Sequence, residues 1–187
     1  MTEMEYSSPE EVDVVIVGAG ISGLVLARLL AYSDLAVVVL GQRYSVPRNG
    51  SFAGLVSRDD LRTLAVEPID PIPVREIVSI DVNAGWHSDA RSYPDGDLFA
   101  VTHDDLLGAL RQGCREHNVP VLPDRTVTEL LWKRGIVSGV RVAPGRQEIR
   151  SRLVVLADES DPRLAETPGL RPDWPPNRLM HVGKERF

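Results

Sequence analysis

The amino-acid sequence predicts an α/β domain built on a mostly parallel sheet, and three observations predict it. A β-branched run over Val12–Val17 is followed by clustered glycines and then by apolar residues at helical spacing. A second such run, Ala36–Leu40, arrives after one helix length. Further along, three segments between Thr126 and Ile149 alternate around turn residues, ahead of a third apolar run at Leu153–Ala157. Continuous β-branched runs suit strands covered on both faces, and alternating ones suit an antiparallel meander.

The first element is the most informative. After the strand, Gly18-Ala19-Gly20-Ile21-Ser22-Gly23 supplies G-x-G-x-x-G, and Leu24–Leu30 continue as a helix. The first glycine permits a tight turn, the second lets a pyrophosphate approach the backbone, and the third lets helix and strand pack closely. The helix start would present free N–H groups and its positive dipole end to that pyrophosphate. A lone glycine motif is weak, but here it sits between a strand and a helix with the second strand following. Gly18, Gly20, Ile21, Ser22 and Gly23 are therefore the binding candidates of a Rossmann-like βαβ unit.

Length and composition bound the remainder. The chain has 187 residues, enough for one large domain, with 26% charged residues and a net charge of −6. That acidity argues against nucleic acid and against an anionic membrane surface. Cys114 is the only cysteine, which excludes a disulfide framework and a thiolate metal site. It falls in a helix with Leu106 and Leu110, where a small buried hydrophobe is expected. The apolar run Val12–Leu30 is interrupted by Asp13, Arg28 and the motif glycines, so no transmembrane segment is expected. A cytoplasmic protein is the expectation.

In order, residues 1–10 are expected to form a disordered leader and residues 11–170 the dinucleotide-binding domain. Gly41–Arg58 is a long segment rich in Gly, Ser, Arg and Asn, of the kind that carries function. A short helix is expected over Asp59–Ala65, and an excursion over about 66–101 opens with Pro68, Pro71 and Pro73. Within it, Glu76–Val82 and Asp97–Val101 are expected to pair through the turn Tyr93-Pro94-Asp95-Gly96. Thr102 is a candidate N-cap for a helix over Thr102–Asn118, with Asp104 and Asp105 in its first turn. A strand over Val119–Leu122 follows. The meander is expected over Thr126–Trp132, Ile136–Val142 and Glu148–Ile149, with Leu153–Ala157 a separate strand. Residues 171–187, with a last strand from Leu179, are expected to begin a truncated substrate domain.

This order of parts resembles the electron-transfer flavoprotein–quinone oxidoreductase (FixC) and geranylgeranyl reductase group, over most of the chain. Val101–Leu110 resembles that family's strand-to-helix segment lining the flavin. Val154-Val155-Leu156-Ala157-Asp158, with Leu164-Ala165-Glu166 and Gly169, resembles its V-I-L-A-D-G segment and the short helix after it. The resemblance implies a Rossmann-like FAD/NAD(P)-binding fold with a mostly parallel sheet, a three-stranded β-meander crossover and an incomplete second sheet. It implies FAD as cofactor, with the pyrophosphate over Gly18, Gly20 and Gly23. It places Thr126-Val127 at a backbone contact to adenine, Arg48-Asn49 in a loop near the flavin, and Asp158 at a flavin-contacting strand end.

Three positions depart from that family. Gly41, followed by Gln42 and Arg43, stands where relatives carry the acid that bonds the adenosine ribose. His103 stands where relatives carry Arg, and imidazole offers fewer donors than guanidinium. Glu159 stands where the family has Gly.

Other constellations carry less. His103 and His117 share a helical face but lie about 21 Å apart along it, too far to share a metal. Asp158, Glu159 and Asp161 fit a solvated turn before a short helix better than a cation site. Trp86, Trp132 and Trp174 are expected to be packing residues. No G-x-S-x-G, Cys/His pair or H-E-x-x-H supports a hydrolase or a metalloprotease.

The function these readings imply is a FAD-dependent oxidoreductase passing electrons between a reduced donor and a quinone or isoprenoid-like acceptor. A partner chain, electron-transfer flavoprotein-like or a second copy, is expected to complete the sheet. Two alternatives stay open: a non-catalytic flavoprotein-fold subunit acting through a partner, and an NADP-binding module, since loss of the acid beside Arg43 suits a ribose 2′-phosphate.

Overall fold

Valine-rich strands form the centre of the molecule in a computed structural model that describes residues 9–41, 52–63, 75–85, 87–93, 96–157 and 164. The chain runs β1 (Glu11–Val17), α1 (Ile21–Leu30), β2 (Val37–Leu40), β3 (Phe52–Ser57), α2 (Arg58–Thr63), β4 (Arg75–Glu76) and β5 (Ser79–Ala84). It continues through β6 (His87–Ser92), β7 (Leu98–Thr102), α3 (His103–Glu116), β8 (Val121–Leu122), β9 (Thr126–Lys133), β10 (Ile136–Ala143) and β11 (Gln147–Leu156). The leader, the strand from Leu179, the Asp158–Asp161 turn and Cys-free tail residues 171–187 lie outside the described residues, as do Trp86 and Trp174.

The main sheet has the order β8-β2-β1-β11-β10-β9. Its β8, β2, β1 and β11 run parallel, while β10 is antiparallel to both β11 and β9. All four residues of β2, and Val14–Val17 of β1, are buried because both faces of these strands are covered. On one face Val14, Ile16, Val37 and Val39 pack with Leu24 and Ala27 of α1 and with Leu106 and Leu110 of α3. On the other, Val15, Val17, Val38 and Leu40 share a cluster with Val127, Val140, Val142 and Ile149 of the meander.

Asp13 sets a carboxylate among the valines of the central strand. The Asp13 carboxylate accepts from the Ala36 backbone N–H at 3.0 Å and from Arg152 Nη1 at 3.1 Å, linking β1 to the entry of β2 and to β11. These bonds, the backbone one first, hold its pKa below the ordinary carboxylate value.

The strand expected in two pieces over Glu148–Ile149 and Leu153–Ala157 is continuous. β11 pairs antiparallel with β10 through Gln147–Arg150, then parallel with β1 from Glu11↔Arg150 to Val17↔Leu156. Arg150 belongs to both ladders, so β11 is the corner at which meander becomes parallel sheet. Gly139 faces that corner with φ 149°, and a Cβ there would strike the Ile149 carbonyl and lie 2.9 Å from Arg150 Cα. Only glycine fits.

The excursion also differs from expectation. Gly41–Arg58 is not loop throughout, because Phe52–Ser57 forms β3, paired antiparallel with β7. β4 pairs with β7 as well, through Arg75↔Ala100 and Glu76↔Phe99. Glu76–Val82 and Asp97–Val101 therefore do not form one hairpin. A separate β5–β6 hairpin, with Gly85 at φ 63° following β5, is inserted between β4 and β7. Trp132, expected to pack, is 50% exposed at the far end of β9. Among the described residues, no helix is long and apolar enough to cross a membrane.

Candidate dinucleotide site

The glycine turn closes the C-terminal end of β1. Gly18 has φ 114°, a conformation that L side chains rarely adopt, and its N–H donates to the Leu40 carbonyl at 2.6 Å. The turn is therefore tied to β2. The Ala157 N–H donates to the Val17 carbonyl at 2.7 Å, tying it to the strand on the other side. A Cβ on Gly23 would run into the Gly18 carbonyl and lie 3.3 Å from Ile16 Cγ2. Gly23 is thus what allows α1 to start directly against β1.

Gly20 does something different. It is the N-cap of α1 with ordinary extended backbone (φ −79°, ψ −176°), and a Cβ there would meet nothing within 4 Å. Strain does not demand glycine at this position; the space beside it is open. No side chain caps the helix, and no acidic residue lies in its first turn. The first helical bond runs from the Leu24 N–H to the Gly20 carbonyl at 3.0 Å, so the N–H groups of Ile21, Ser22 and Gly23 precede the intrahelical ladder. Uncapped donors, a positive dipole end and an open approach together suit a pyrophosphate. The structure brings Gly18, Gly20, Ile21, Ser22 and Gly23 into one turn, as the motif implies.

The neighbouring helix is finished differently. The Thr102 hydroxyl accepts from the Asp105 N–H at 3.2 Å and is bonded to the Asp105 carboxylate, while Asp104 and Asp105 occupy the first turn of α3. His103 opens this helix, half-buried. Val127 is buried in β9, paired with Val142 and sharing a cluster with Leu40 and Leu122 at the ends of β2 and β8. Gln42, Arg43, Arg48, Asn49 and Asp158 lie outside the described residues.

The sequence singles out Gly41 as the place where relatives carry an acid, and the structure adds what surrounds it. Gly41 follows β2, with its N–H donating to the Leu122 carbonyl at 3.2 Å. A Cβ on it would stand 2.7 Å from Ala19 Cβ and 3.0 Å from Ala19 N. The glycine turn itself excludes a side chain at position 41. A glycine at the close of a buried strand is the sequence signal of such an approach, but the sequence does not say what approaches.

The helices meet through Cys114 and Arg28. The Cys114 thiol faces the Leu24 carbonyl at 3.8 Å and is fully buried. Burial pushes its pKa up to about 11, with the Arg28 charge opposing. This is an inert structural thiol, as expected from its helical spacing. Arg28 is itself buried, with its Nε unpaired and its guanidinium in the space a Gly113 side chain would take. His117 caps the end of α3 and packs against the Tyr32 ring, with centroids 4.8 Å apart. No three metal-ligating side chains converge among the described residues.

No family model matches the chain. It is 28% identical over 192 residues to the protein FixC of Azotobacter vinelandii, covering 95% of this chain and 44% of that protein. It is also 28% identical, over 169 residues, to the Escherichia coli protein named "probable electron transfer flavoprotein-quinone oxidoreductase", covering 86% and 39%. Digeranylgeranylglycerophospholipid reductase 2 of Methanopyrus kandleri is 28% identical over 175 residues, covering 89% and 42%. The chain spans less than half the length of these curated relatives. Among solved structures, a geranylgeranyl bacteriochlorophyll reductase-like protein from Thermoplasma acidophilum matches with TM-score 0.66 at 17% identity, covering 80% of this chain and 39% of that one. The myxobacterial chondrochloren halogenase, described as a variant of FAD-dependent halogenases, matches with TM-score 0.66 at 15% identity, covering 84% and 39%. The fold of this chain is the α/β fold those proteins share.

Proposed function

We propose that this chain is the dinucleotide-binding part of a FAD-dependent oxidoreductase of the FixC and geranylgeranyl reductase kind. The observation that carries the reading is the glycine turn: a tight Gly18, a Gly23 packed onto β1, and an uncapped α1 N-terminus opening on free space beside Gly20. Those residues fit a pyrophosphate, and the names of the relatives supply the flavin. The Ile21, Ser22 and Gly23 N–H groups would hold the diphosphate. Bound FAD would supply electron transfer, for which protein side chains alone are poorly suited. In this reading residues 11–170 are the binding unit and 171–187 open a second. His103, Val127 and Asp158 are adenine- or flavin-side candidates, together with Gln42, Arg43, Arg48 and Asn49.

The names of the relatives favour a quinone or isoprenoid-like acceptor, and a partner chain as electron donor or as cover for exposed apolar residues such as Leu153. A lone buried thiol suits the reducing cytoplasm. The test is the visible spectrum of the purified chain, followed by calorimetric titration with FAD. A yellow protein, or a dissociation constant near micromolar (about −8 kcal/mol), is the expected result. A colourless protein that binds neither FAD nor ADP would overturn the reading.

A further inference from the structure

Dinucleotide folds ordinarily recognise the adenosine ribose with an Asp or Glu about twenty residues after the glycine motif, whose carboxylate accepts from the 2′-hydroxyl. The same carboxylate excludes a 2′-phosphate by like-charge repulsion, so it is a selector as well as a contact. Here the end of the second strand is Gly41. Its lack of a side chain is imposed by the glycine turn, because Ala19 Cβ and N stand 2.7 and 3.0 Å from where a Cβ would be. Nor does the chain supply a nearby replacement in sequence: no Asp or Glu occurs between Leu40 and Asp59. The pyrophosphate half of the site is intact, and the group that would choose between ribose forms is sterically excluded.

We propose that this site does not discriminate against a 2′-phosphate: it takes an adenosine diphosphate moiety whether the ribose 2′ position is free or phosphorylated. The Ala19–Gly41 approach is the specificity determinant. The proposal rests on the reading that a pyrophosphate binds at the Gly18–Gly23 turn, and its test separates the two.

The experiment is calorimetric titration of the full chain with ADP and with 2′-phospho-ADP under identical salt. The expected result is a 2′-phospho-ADP dissociation constant no more than about threefold weaker than that of ADP. Preference for ADP by about tenfold or more would overturn the proposal while leaving the pyrophosphate reading standing. It would mean that a carboxylate from elsewhere, such as Asp124 after β8, reaches the ribose. Binding of neither compound would overturn both. A second variant locates the determinant: in Ala19→Gly/Gly41→Glu the obstructing Cβ is gone and the acid is supplied. This variant is expected to prefer ADP by about tenfold. If it melts like the parent and shows the parent's ratio, position 41 is not the selector.

Discussion

Two helices pack on the same face of the sheet, and their first turns are opposites. α3 is closed by its own chain: Thr102 caps it, and Asp104 and Asp105 place two carboxylates at its positive end. α1 has neither a capping side chain nor an acid, and a glycine stands where the cap would be. Every helix leaves its first N–H groups without intrahelical partners, so the difference lies in who satisfies them. At α3 the partner is covalent neighbourhood, and the result is stability. At α1 the donors are left open, which is what the proposed pyrophosphate site needs.

The comparison can be broken most severely at Gly23. Gly23→Val drives its Cβ into the Gly18 carbonyl, which as backbone cannot swing aside. We expect a loss of roughly 3 kcal/mol in urea denaturation, with ADP binding abolished. A variant of parental stability would show that the close packing of α1 on β1 is dispensable.

Gly20→Asp makes α1 resemble α3. The position has open space and ordinary backbone, so the fold should hold or gain a few tenths of a kcal/mol. ADP affinity should fall by roughly a hundredfold, because the new carboxylate occupies N–H groups whose charge-assisted bonds are worth about 1.5–3 kcal/mol each. Unchanged affinity in calorimetry would place the anion elsewhere.

The seam between the helices gives a pH test. The Cys114 pKa is raised from 9.0 to about 11 by burial. The unfolded thiol therefore ionises first, and stability fully present below pH 9 should decline as pH rises toward 11, by on the order of 2 kcal/mol. Cys114→Ala should flatten that decline relative to the parent, measured as urea midpoints from pH 8 to 11; parallel curves would contradict it. The mildest change is Thr102→Ala, which should cost about 1 kcal/mol in thermal or urea unfolding and leave ADP affinity untouched.

The same two helices show where reading a sequence works. The Thr102 cap, the acids after it and the inward face with Leu106, Leu110 and Cys114 all lie in one continuous stretch of chain, and local spacing announces them. So do the strand, turn and helix around Gly18–Gly23. Pairings that close over long stretches were not announced: Phe52–Ser57 is a strand because Leu98–Thr102 lies beside it, and FAGLVS does not read as one alone. β11 appeared as two strands because its charged middle, Arg150-Ser151-Arg152, breaks the apolar pattern. That middle is where the strand changes partners: Arg150 and Arg152 are exposed there, while Ser151 between them is buried. Trp132 has the composition of a core residue, but near the end of β9, paired with Val137 of β10, it is left half exposed.

By itself, then, the sequence determined the local geometry of this protein: the apolar runs of β1 and β2, where α1 and α3 start, and a tight turn with three glycines between β1 and α1. These follow from backbone sterics and side-chain periodicity, which act between residues close in the chain. Only the tertiary structure decided that Gly41 cannot carry a side chain, that Gly139 must be glycine, and that β11 joins the antiparallel ladder to the parallel one. Those facts arise from close approach between segments far apart in sequence, Ala19 to Gly41 and Gly139 to Arg150. A glycine in one segment can signal such a crossing, but neither segment alone says what it meets.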